Sequence, residues 1–431
     1  MTVEPAAGGR GLAELLPELE WRGILHATTP GLPERLTSGR SISGYIGFDP
    51  SADSLHVGHL VPIFGLLRLQ RFGGRPVAVV GGGTGMIGDP SGRSTERNLL
   101  DETTLAANVA ALRSQLERFL DFGEGEGGAV MVNNLDWLGQ FSLIDFLRDI
   151  GKHFTVPYML AKDSVQVRLD RGLSFTEFSY MLLQAADFDH LHRTMGVELQ
   201  MGGADQWGNI TAGLELIRRR GGVEEAAADP AHGLAYKLLL SPSGAKFGKS
   251  EGGESVWLDA KRTSPFAFYQ YWLNTDDRDI GTYLRWFTEF PREEIERLDA
   301  AVASRPEGRE AQRALARDIT KRTHGEEGLR EAEQATDSVF GQGIVGLSAE
   351  ALAALDPIQK PVDASWTAAG TAVAIGAVSS NGEARRLVSQ GGLYINDERV
   401  TDPNAPLPEP LHGRYWVIRT GKKNTRILER A

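Results

Sequence analysis

The feature that most constrains the fold is a short apolar run that leads, through a turn, straight into a helix start. Residues 42–48 (ISGYIGF) alternate small and apolar side chains, as a buried strand does. Residues 49–51 (Asp-Pro-Ser) then mark a turn, because proline fixes φ and the flanking polar side chains bond the local backbone. Asp53 or Ser54 is placed to cap a helix over about 55–72. A strand followed closely by a helix predicts an α/β unit.

The same order of strand and helix recurs through the first half of the chain. Further strands are predicted at 76–80, 129–133 and 197–201, and helices at 102–120, 142–150, 174–190 and 206–220. Alternating strands and helices predict a parallel sheet with helices on both faces. Such sheets bind ligands at the carboxyl ends of their strands. The motifs at 45–59, 81–92 and 200–209 are therefore expected to converge on one crevice.

Two histidines open the first of these helices in the motif HVGH at 56–59. A helix start has unpaired N–H groups and partial positive charge, which suit a phosphate. His56 and His59 share one face, and Gly58 lets a flat ring lie against the backbone. The pattern predicts a nucleotide site. The alternative is that one histidine caps the helix and the other packs in the core. Zinc is disfavoured, because no third ligand stands nearby and the chain has no cysteine.

Two glycine-containing segments also carry candidate ligand groups. The segment KFGKS at 246–250 has two lysines and follows a stretch rich in Gly, Pro and Ser. It is either a solvated surface loop or a mobile loop whose positive charge closes on phosphates. The run GTGMIG at 83–88 matches the dinucleotide fingerprint, but the turn at 89–92 stands where that fingerprint needs a helix. We interpret that run as backbone open to a ligand or as a close strand–helix crossing.

The predicted helix 174–190 carries polar side chains on one face. Tyr180, Gln184 and Asp187 are spaced i, i+4 and i+7, which aligns them on the helix. This face is either solvated or the wall of a pocket for a small polar molecule. The segment QMGGADQWGN at 200–209 adds a polar strand end, a glycine turn and a helix start.

Charge and composition narrow the classes of partner. The 431 residues carry a net charge of −11, which for the whole chain argues against nucleic-acid binding. From Pro361 to the end, however, there are nine basic and seven acidic residues, so any nucleic-acid contact would involve this tail and local patches rather than the whole surface. No apolar run approaches a membrane span, and Met1 to Gly9 lacks a signal-peptide pattern. With no cysteine to form disulfides, a cytoplasmic protein is expected.

Together these motifs resemble those of bacterial tyrosyl-tRNA synthetases, which are class I aminoacyl-tRNA synthetases. HVGH is similar to the HIGH signature, and KFGKS to the KMSKS loop. The segments YIGFDP before the first motif and GADQWGN before the second make the match specific, and it extends over nearly the whole chain. In the tail, residues 379–388 and 392–396 resemble a small RNA-binding module shared with a ribosomal small-subunit protein.

For the amino acid, the resemblance implies a pocket that binds tyrosine at both ends. The residues implied to bond the phenolic hydroxyl are Tyr45 and Asp187. Those implied to hold the α-ammonium are Asp89, Tyr180 and Gln184. Gln206 is implied to lie near the carboxyl group or the ribose, and Gln200 behind the pocket wall.

For the nucleotide, the resemblance implies phosphate contacts on both signature motifs. The residues implied to act in catalysis are His56, His59, Lys246, Lys249 and Ser250. Those implied to bind ATP, besides these, are Asp49, Gly58 and Asp205, with Asp49 beside the reacting α-phosphate. Mg²⁺ is implied to arrive with ATP, and no protein metal site is expected. Arg93 and Arg97 match basic positions of the family, whereas Ile46 replaces a residue that is often polar.

The resemblance also implies a domain order and partners. It predicts an α/β chain with a Rossmann-like catalytic domain (1–240), a KMSKS-type loop segment (241–263), an α-helical anticodon-side domain (264–341), a linker (342–365) and a small α+β RNA-binding domain (366–431). The implied partners are tRNA(Tyr), L-tyrosine, ATP and a second copy of the chain. Candidate tRNA contacts are Arg385, Arg386, Lys422 and Lys423.

Three other functions are compatible with part of the sequence. A tryptophanyl enzyme shares the motifs, but Asp187 on the face of Tyr180 favours a phenol ligand. A small-molecule nucleotidyltransferase can use HxGH, but the helical domain and the tail argue against it. A non-catalytic RNA-binding protein on a synthetase frame would be indicated by loss of the histidines or the loop lysines, and all are present.

Overall fold

The elements of the fold follow the predicted order of strands and helices through the first half of the chain. The computed structural model describes residues 11–89, 102–169, 172–228, 230–239, 247–248, 255–337, 349–355, 357–363, 365–421 and 424–431. The strands are β1 Leu25–Thr28, β2 Ser43–Phe48, β3 Arg75–Val80, β4 Val130–Asn133, β5 Leu199–Gly203, β6 His232–Tyr236, β7 Ile358–Lys360, β8 Leu393–Ile395, β9 Glu398–Arg399, β10 Tyr415–Thr420 and β11 Asn424–Arg430.

The helices make up most of the remaining regular structure. They are α1 Leu15–Trp21, α2 Leu32–Leu36, α3 Leu60–Arg71, α4 Glu102–Leu116, α5 Leu135–Leu138, α6 Leu143–Asp149, α7 Val156–Leu160, α8 Asp163–Leu169, α9 Phe175–Met195, α10 Trp207–Ala228, α11 Pro265–Leu273, α12 Asp277–Phe287, α13 Arg292–Ser304, α14 Glu310–Asp337, α15 Ala349–Ala354, α16 Ala368–Ala374 and α17 Asn381–Ser389. Short 3₁₀ turns precede α3 at Val57–His59 and follow β3 at Thr84–Met86. None of the described helices has both the length and the apolar character needed to cross a bilayer.

A six-stranded sheet forms the centre of the first compact unit, which comprises Met1–Gly248 and Asp276–Ala311. Its strand order is β1-β6-β5-β2-β3-β4, and all neighbours are parallel except β1 with β6. The chain proceeds from β2 through β3 to β4 on one side, and returns as β5 on the other side of β2. This reversal creates a crevice beyond the carboxyl ends of β2 and β5, where such sheets bind ligands.

Two strands of this sheet were missed by the sequence prediction. No strand was predicted before residue 42, yet β1 lies there as the antiparallel edge strand. The strand β6 was also not predicted. Its sequence HGLAY at 232–236 begins with a histidine and a glycine and has no apolar run like residues 76–80 of β3. The predicted parallel sheet is confirmed for the four predicted strands β2 to β5, and β6 extends it in parallel to β5.

The predicted cap of the first helix is also wrong. Ser54 bonds the Leu55 carbonyl, and the Leu55 N–H donates to Gln115 Oε1 of α4 over 2.8 Å. Because these groups are engaged in packing against α4, the helical turn starts later, with His56 as its N-cap. The histidine motif therefore supplies its own cap.

Buried arginines join α1 and α3 to the end of α12. Arg68 of α3 is fully buried, and it donates to Glu289 Oε1 over 3.0 Å and to the Trp286 carbonyl over 2.8 Å. Arg22 donates to the carbonyls of Arg285 and Thr288 over 2.8 and 2.9 Å. The last carbonyls of a helix have no partners within it, so these guanidinium groups cap α12. Burial lowers the pKa of Arg68 to about 10, although the neighbouring Glu289 opposes the shift.

The second compact unit comprises Lys249–Thr275 and Gln312–Ala431 and is built on a five-stranded sheet of order β7-β11-β10-β8-β9. Side chains of β10 alternate between two cores, as expected for a strand covered on both faces. Trp416 and Ile418 pack with residues of α16 and α17, and Tyr415 and Val417 pack with α15 and Phe266 of α11. The predicted helical segment 264–341 is thus divided between the two units, and β7 comes from the segment predicted as a linker.

Candidate active site

The side chains expected to bind the amino acid line a candidate pocket between β2, β5 and α9. Tyr45 of β2 is paired with Gln200 of β5 in the sheet register, so their side chains leave the same face. Tyr45 is buried, and its ring lies 5.4 Å from that of Phe188. The Tyr45 hydroxyl and Gln200 Oε1 are buried and have no hydrogen-bond partner among the described residues. Buried polar atoms without partners are costly, so these two atoms indicate a site for a polar ligand.

The polar face of α9 forms one wall of this pocket rather than a solvated surface. Tyr180 and Asp187 are buried, and Gln184 has a buried Oε1 with no partner among the described residues. The other face of the helix packs Met181 and Leu182 into a separate apolar cluster. The helix therefore presents the three predicted side chains to the sheet.

Asp187 is held by two side chains that follow β4. Asn134 Nδ2 donates to Asp187 Oδ2, and Trp137 Nε1 donates to Asp187 Oδ1, each over 2.8 Å. The indole of Trp137 stacks on His190 at 4.5 Å with an interplanar angle of 11°. Burial raises the pKa of Asp187 to about 7; the two hydrogen bonds oppose this shift and the Asp49 charge adds to it. Burial and Asp187 together raise the pKa of Tyr45 well above its ordinary value.

Asn134, Trp137 and Thr84 are candidate site residues that the sequence analysis did not single out. Asn134 and Trp137 belong to the segment just after β4, and Thr84 to the turn after β3. The only signal available was their place after predicted strands, because no spacing relates them to Asp187. The parallel sheet brings them together.

The two histidines of HVGH accept hydrogen bonds from the backbone of their own motif. Gly58 N–H donates to His56 Nδ1 over 3.0 Å, and His56 N–H donates to His59 Nδ1 over 3.1 Å. The two rings lie 4.1 Å apart. A nitrogen that accepts a hydrogen bond carries no proton, so each ring has its hydrogen on Nε2. Both histidines are therefore hydrogen-bond donors through Nε2, which suits a phosphate oxygen. Both the capping and the phosphate interpretations of the motif are compatible with this geometry.

Gly58 is required by the same geometry. A Cβ built on Gly58 would lie 2.7 Å from His56 Cε1 and 2.9 Å from His56 Nδ1, closer than real Cβ contacts. The glycine therefore leaves room for the His56 ring to reach the backbone.

The second signature motif lies next to the first. A Cβ built on Gly248 would be 3.7 Å from Val57 Cγ2 and 3.9 Å from the Gly58 nitrogen. Phe247 stacks on Phe287 with centroids 5.3 Å apart and an interplanar angle of 3°. KFGKS and HVGH are thus brought together at these residues. The candidate residues Lys246, Lys249 and Ser250 lie outside the described residues, as do Arg93 and Arg97.

A second polar cluster follows β5. Gln206 Nε2 donates to Asp89 Oδ2 over 2.7 Å, and Asn209 Nδ2 donates to Gln206 Oε1 over 3.1 Å. Asp205 is exposed as a residue, yet partial desolvation of its carboxyl and the charge of Asp89 raise its pKa. The predicted residues Asp89, Asp205 and Gln206 therefore meet, at the carboxyl ends of β3 and β5.

The candidate tRNA contacts belong to the second unit. Arg385 and Arg386 are exposed on α17, whose Ala384 and Val388 are buried. Lys422 and Lys423 lie outside the described residues. Among the residues that the structure describes, no group of three His, Asp or Glu side chains could hold a metal ion.

Comparison with known proteins agrees with this geometry. A family model described as "tRNA synthetases class I (W and Y)" matches residues 37–341, and one described as "Tyrosine–tRNA ligase SYY-like C-terminal domain" matches residues 367–428. The tyrosine–tRNA ligase of Roseiflexus castenholzii is 48% identical over 429 residues, which cover 97% of this chain and 99% of that one. The chain belongs to the tyrosine–tRNA ligase family. The predicted family, enzyme class and α/β fold are confirmed.

Two further relatives support this placement. The tyrosine–tRNA ligase of Geobacillus stearothermophilus is 47% identical over 428 residues, covering 97% of this chain and 100% of that one. A C-terminally truncated mitochondrial tyrosyl-tRNA synthetase from Aspergillus nidulans superposes with a TM-score of 0.67 at 29% identity, covering 76% of this chain and 94% of that one. The match of the tail to a C-terminal model of tyrosine–tRNA ligases disfavours the tryptophanyl alternative.

Proposed function

We propose that this synthetase activates L-tyrosine with ATP in the crevice between β2 and β5, and that it then transfers the tyrosyl group to the 3′ end of tRNA(Tyr). The observation that carries the proposal is the buried hydroxyl of Tyr45, which lacks a partner among the described residues and lies within the field of the Asp187 carboxyl. A phenol that enters this pocket would bond both groups. Its hydroxyl would donate to Asp187 and accept from Tyr45.

The other end of the amino acid meets groups of complementary charge. We assign the α-ammonium to Asp89, Tyr180 and Gln184, because a carboxylate, a phenol and an amide oxygen can all accept its hydrogens. The half-buried Asp89 is already oriented by Gln206. Gln206 then lies beside the tyrosine carboxylate or the ribose.

The chemistry needs no general base, because the attacking carboxylate is already ionised. It attacks the α-phosphorus of ATP; the bond to the bridging oxygen breaks, and tyrosyl-adenylate and pyrophosphate form. Catalysis then rests on positioning and on donors aimed at the phosphates. We assign the Nε2 hydrogens of His56 and His59 to this role, together with Lys246, Lys249 and Ser250. Asp49 and Asp205 would orient the nucleotide, and Mg²⁺ would arrive on the ATP phosphates.

In the second step the 3′-terminal hydroxyl of tRNA attacks the adenylate carbonyl and AMP leaves. We propose that Arg385 and Arg386 of α17, with Lys422 and Lys423, contact tRNA phosphates. We also retain the five predicted divisions of the chain, which are three domains, a loop segment and a linker. We place the enzyme in the cytoplasm, because a chain without cysteine needs no oxidising environment.

The decisive experiment is tyrosine-dependent exchange between pyrophosphate and ATP, with tryptophan and phenylalanine measured in parallel. Exchange with tyrosine alone is expected. Exchange with tryptophan would contradict the pocket assignment while leaving the fold intact. A folded protein that binds tRNA but supports no exchange would be a non-catalytic RNA-binding protein.

A homodimer is proposed from the distribution of exposed apolar side chains. Nine of the ten large hydrophobic residues that are exposed in the described chain lie between residues 135 and 175: Leu135, Phe141, Leu143, Ile144, Leu147, Val156, Val167, Leu169 and Phe175. Scattered apolar residues are normal on a surface, whereas this concentration along α5 to the start of α9 indicates an interface. A second copy of the chain is the occupant that the family implies.

We therefore expect Ile144→Asp to weaken self-association, because Ile144 is 69% exposed and an interface would have to bury the new charge. Sedimentation of the parent protein should give twice the chain mass of 46.9 kDa, and the variant should shift toward that mass. Leu238→Asp is the matched control, because Leu238 is 53% exposed but lies outside this segment. Equal behaviour of the two variants would contradict an interface at α6.

Tyrosine use should depend on pH through Asp187. The ionised carboxylate accepts the phenolic hydrogen, so kcat/KM for tyrosine should rise between pH 6 and 8 with an apparent pKa of about 7.

The free energy of unfolding of the unliganded protein should instead fall as the pH rises toward about 7. Because the folded pKa lies above the unfolded value of 3.8, the contribution of Asp187 to the free energy of unfolding is lost as pH rises through about 7. Melting temperatures with and without tyrosine test this opposition.

A further inference from the structure

A continuous path of side-chain hydrogen bonds runs from the pocket carboxyl Asp187 to Asp49 at the end of β2. Asn134 Nδ2 donates to Asp187 Oδ2 over 2.8 Å and to Thr84 Oγ1 over 3.0 Å. Thr84 Oγ1 donates in turn to Asp49 Oδ1 over 3.2 Å. Asn134 is 1% exposed and Thr84 is 3% exposed, so water competes little for these bonds.

The direction of each bond follows from the count of donors and acceptors. Asn134 Oδ1 accepts the Gly83 N–H over 2.7 Å, which fixes the orientation of the amide. Its two N–H hydrogens are then used by Thr84 and Asp187. Because Thr84 Oγ1 accepts from Asn134, its single hydrogen remains for Asp49. One amide therefore supports both carboxyl groups.

A glycine beside this path leaves room for the side chains of Thr84 and Asp49 to meet. A Cβ built on Gly81 would lie 2.4 Å from Thr84 Oγ1 and 2.5 Å from Asp49 Oδ1. Any side chain at this position would displace one of them. The glycine at the end of β3 thus permits the contact between Thr84 and Asp49.

We propose that Asn134 and Thr84 form a positioning bridge that orients Asp49 for the activation of tyrosine and makes this orientation depend on Asp187. The inference rests on the roles proposed above for Asp49 and Asp187. Neither bridge residue touches the reacting atoms. A tyrosine hydroxyl on Asp187 leaves both amide hydrogens of Asn134 engaged, so Asp49 is already oriented when ATP binds.

The bridge is tested by removing the hydroxyl of Thr84 while its shape is kept. Thr84→Val should lower kcat of pyrophosphate–ATP exchange by about tenfold, because Asp49 loses a part-buried hydrogen bond. The dissociation constant for tyrosine, from equilibrium dialysis, should stay within about threefold, since both bonds to Asp187 remain. Thr84→Ser keeps the hydroxyl and should restore most of kcat. Thr84→Ala is a second variant without the hydroxyl, should the valine variant melt early.

A double-variant cycle tests whether Thr84 acts through Asp49. If the bridge acts through Asp49, Thr84→Val should add little to the effect of Asp49→Asn. Unchanged kcat in Thr84→Val, equal losses in the valine and serine variants, or fully additive losses would each overturn the bridge. A parent protein without tyrosine-dependent exchange would instead contradict the proposed roles of Asp49 and Asp187. An active parent with an unaffected valine variant contradicts the bridge alone.

Discussion

Replacement of Asp187 by alanine should reduce kcat/KM for tyrosine on the order of 100-fold, because a hydrogen bond to a charged group is lost in a buried site. Trp137 Nε1 and Asn134 Nδ2 would also lose their acceptor. The preference for tyrosine over phenylalanine should fall with it, since the remaining pocket offers the hydroxyl only Tyr45. Tyrosyl-tRNA synthetases are themselves the standard example of such discrimination against phenylalanine. Exchange kinetics with each amino acid measure both quantities.

Asp189→Ala is the matched control for Asp187→Ala. Asp189 lies on the same helix and is 2% exposed, but its carboxyl pairs with Arg193 and Arg220 rather than facing the pocket. Asp189→Ala should lower the melting temperature and leave the ratio of tyrosine to phenylalanine use unchanged. If both variants alter that ratio equally, the selectivity does not depend on the hydroxyl contact.

The second large effect is expected at Gly58. Gly58→Ala would place a methyl group 2.7 Å from His56 Cε1, so the ring must move away from the backbone N–H that it accepts. A displacement of about 1 Å in a positioning group costs on the order of 100-fold in rate. We expect kcat/KM for ATP to fall by this amount and tyrosine binding to be retained.

The contrast with an unconstrained glycine makes this test specific. A Cβ built on Gly125 meets no atom within 4 Å, so Gly125→Ala should leave the ATP kinetics unchanged. Normal ATP kinetics in Gly58→Ala would show that the capped arrangement of the histidines is not needed for catalysis.

The sequence predicted the parts of this fold that local patterns determine. The strand before HVGH, the helix carrying Asp187 and the parallel sheet follow from apolar alternation and helical spacing, which act over a few residues. The edge strand β1 was missed because LHAT at 25–28 is only partly buried and does not alternate. The cap at Ser54 was wrong because Gln115, about 60 residues later, bonds the neighbouring Leu55 N–H.

In the candidate site, too, the residues related by local spacing could be predicted and those related only by the fold could not. Tyr180, Gln184 and Asp187 could be related by their spacing on one helix, and the structure places all three at the pocket wall. Asn134 and Thr84 could not, because their contacts cross from one strand end to another and depend on the order of strands in the sheet. Local periodicity contains no information about that order.

The arginine pair that caps α12 has a consequence for synthesis on the ribosome. Glu289, the carboxylate partner of Arg68, lies 221 residues after Arg68 in the chain. Phe290, whose carbonyl accepts from Arg22, lies 268 residues after Arg22. At 5–20 residues per second, roughly 10–45 seconds of elongation separate Arg68 from that partner. Until then both guanidinium groups lack their hydrogen-bond partners at the end of α12. The contacts that join α1 and α3 to the end of α12 can therefore form only after residue 290 has been synthesised.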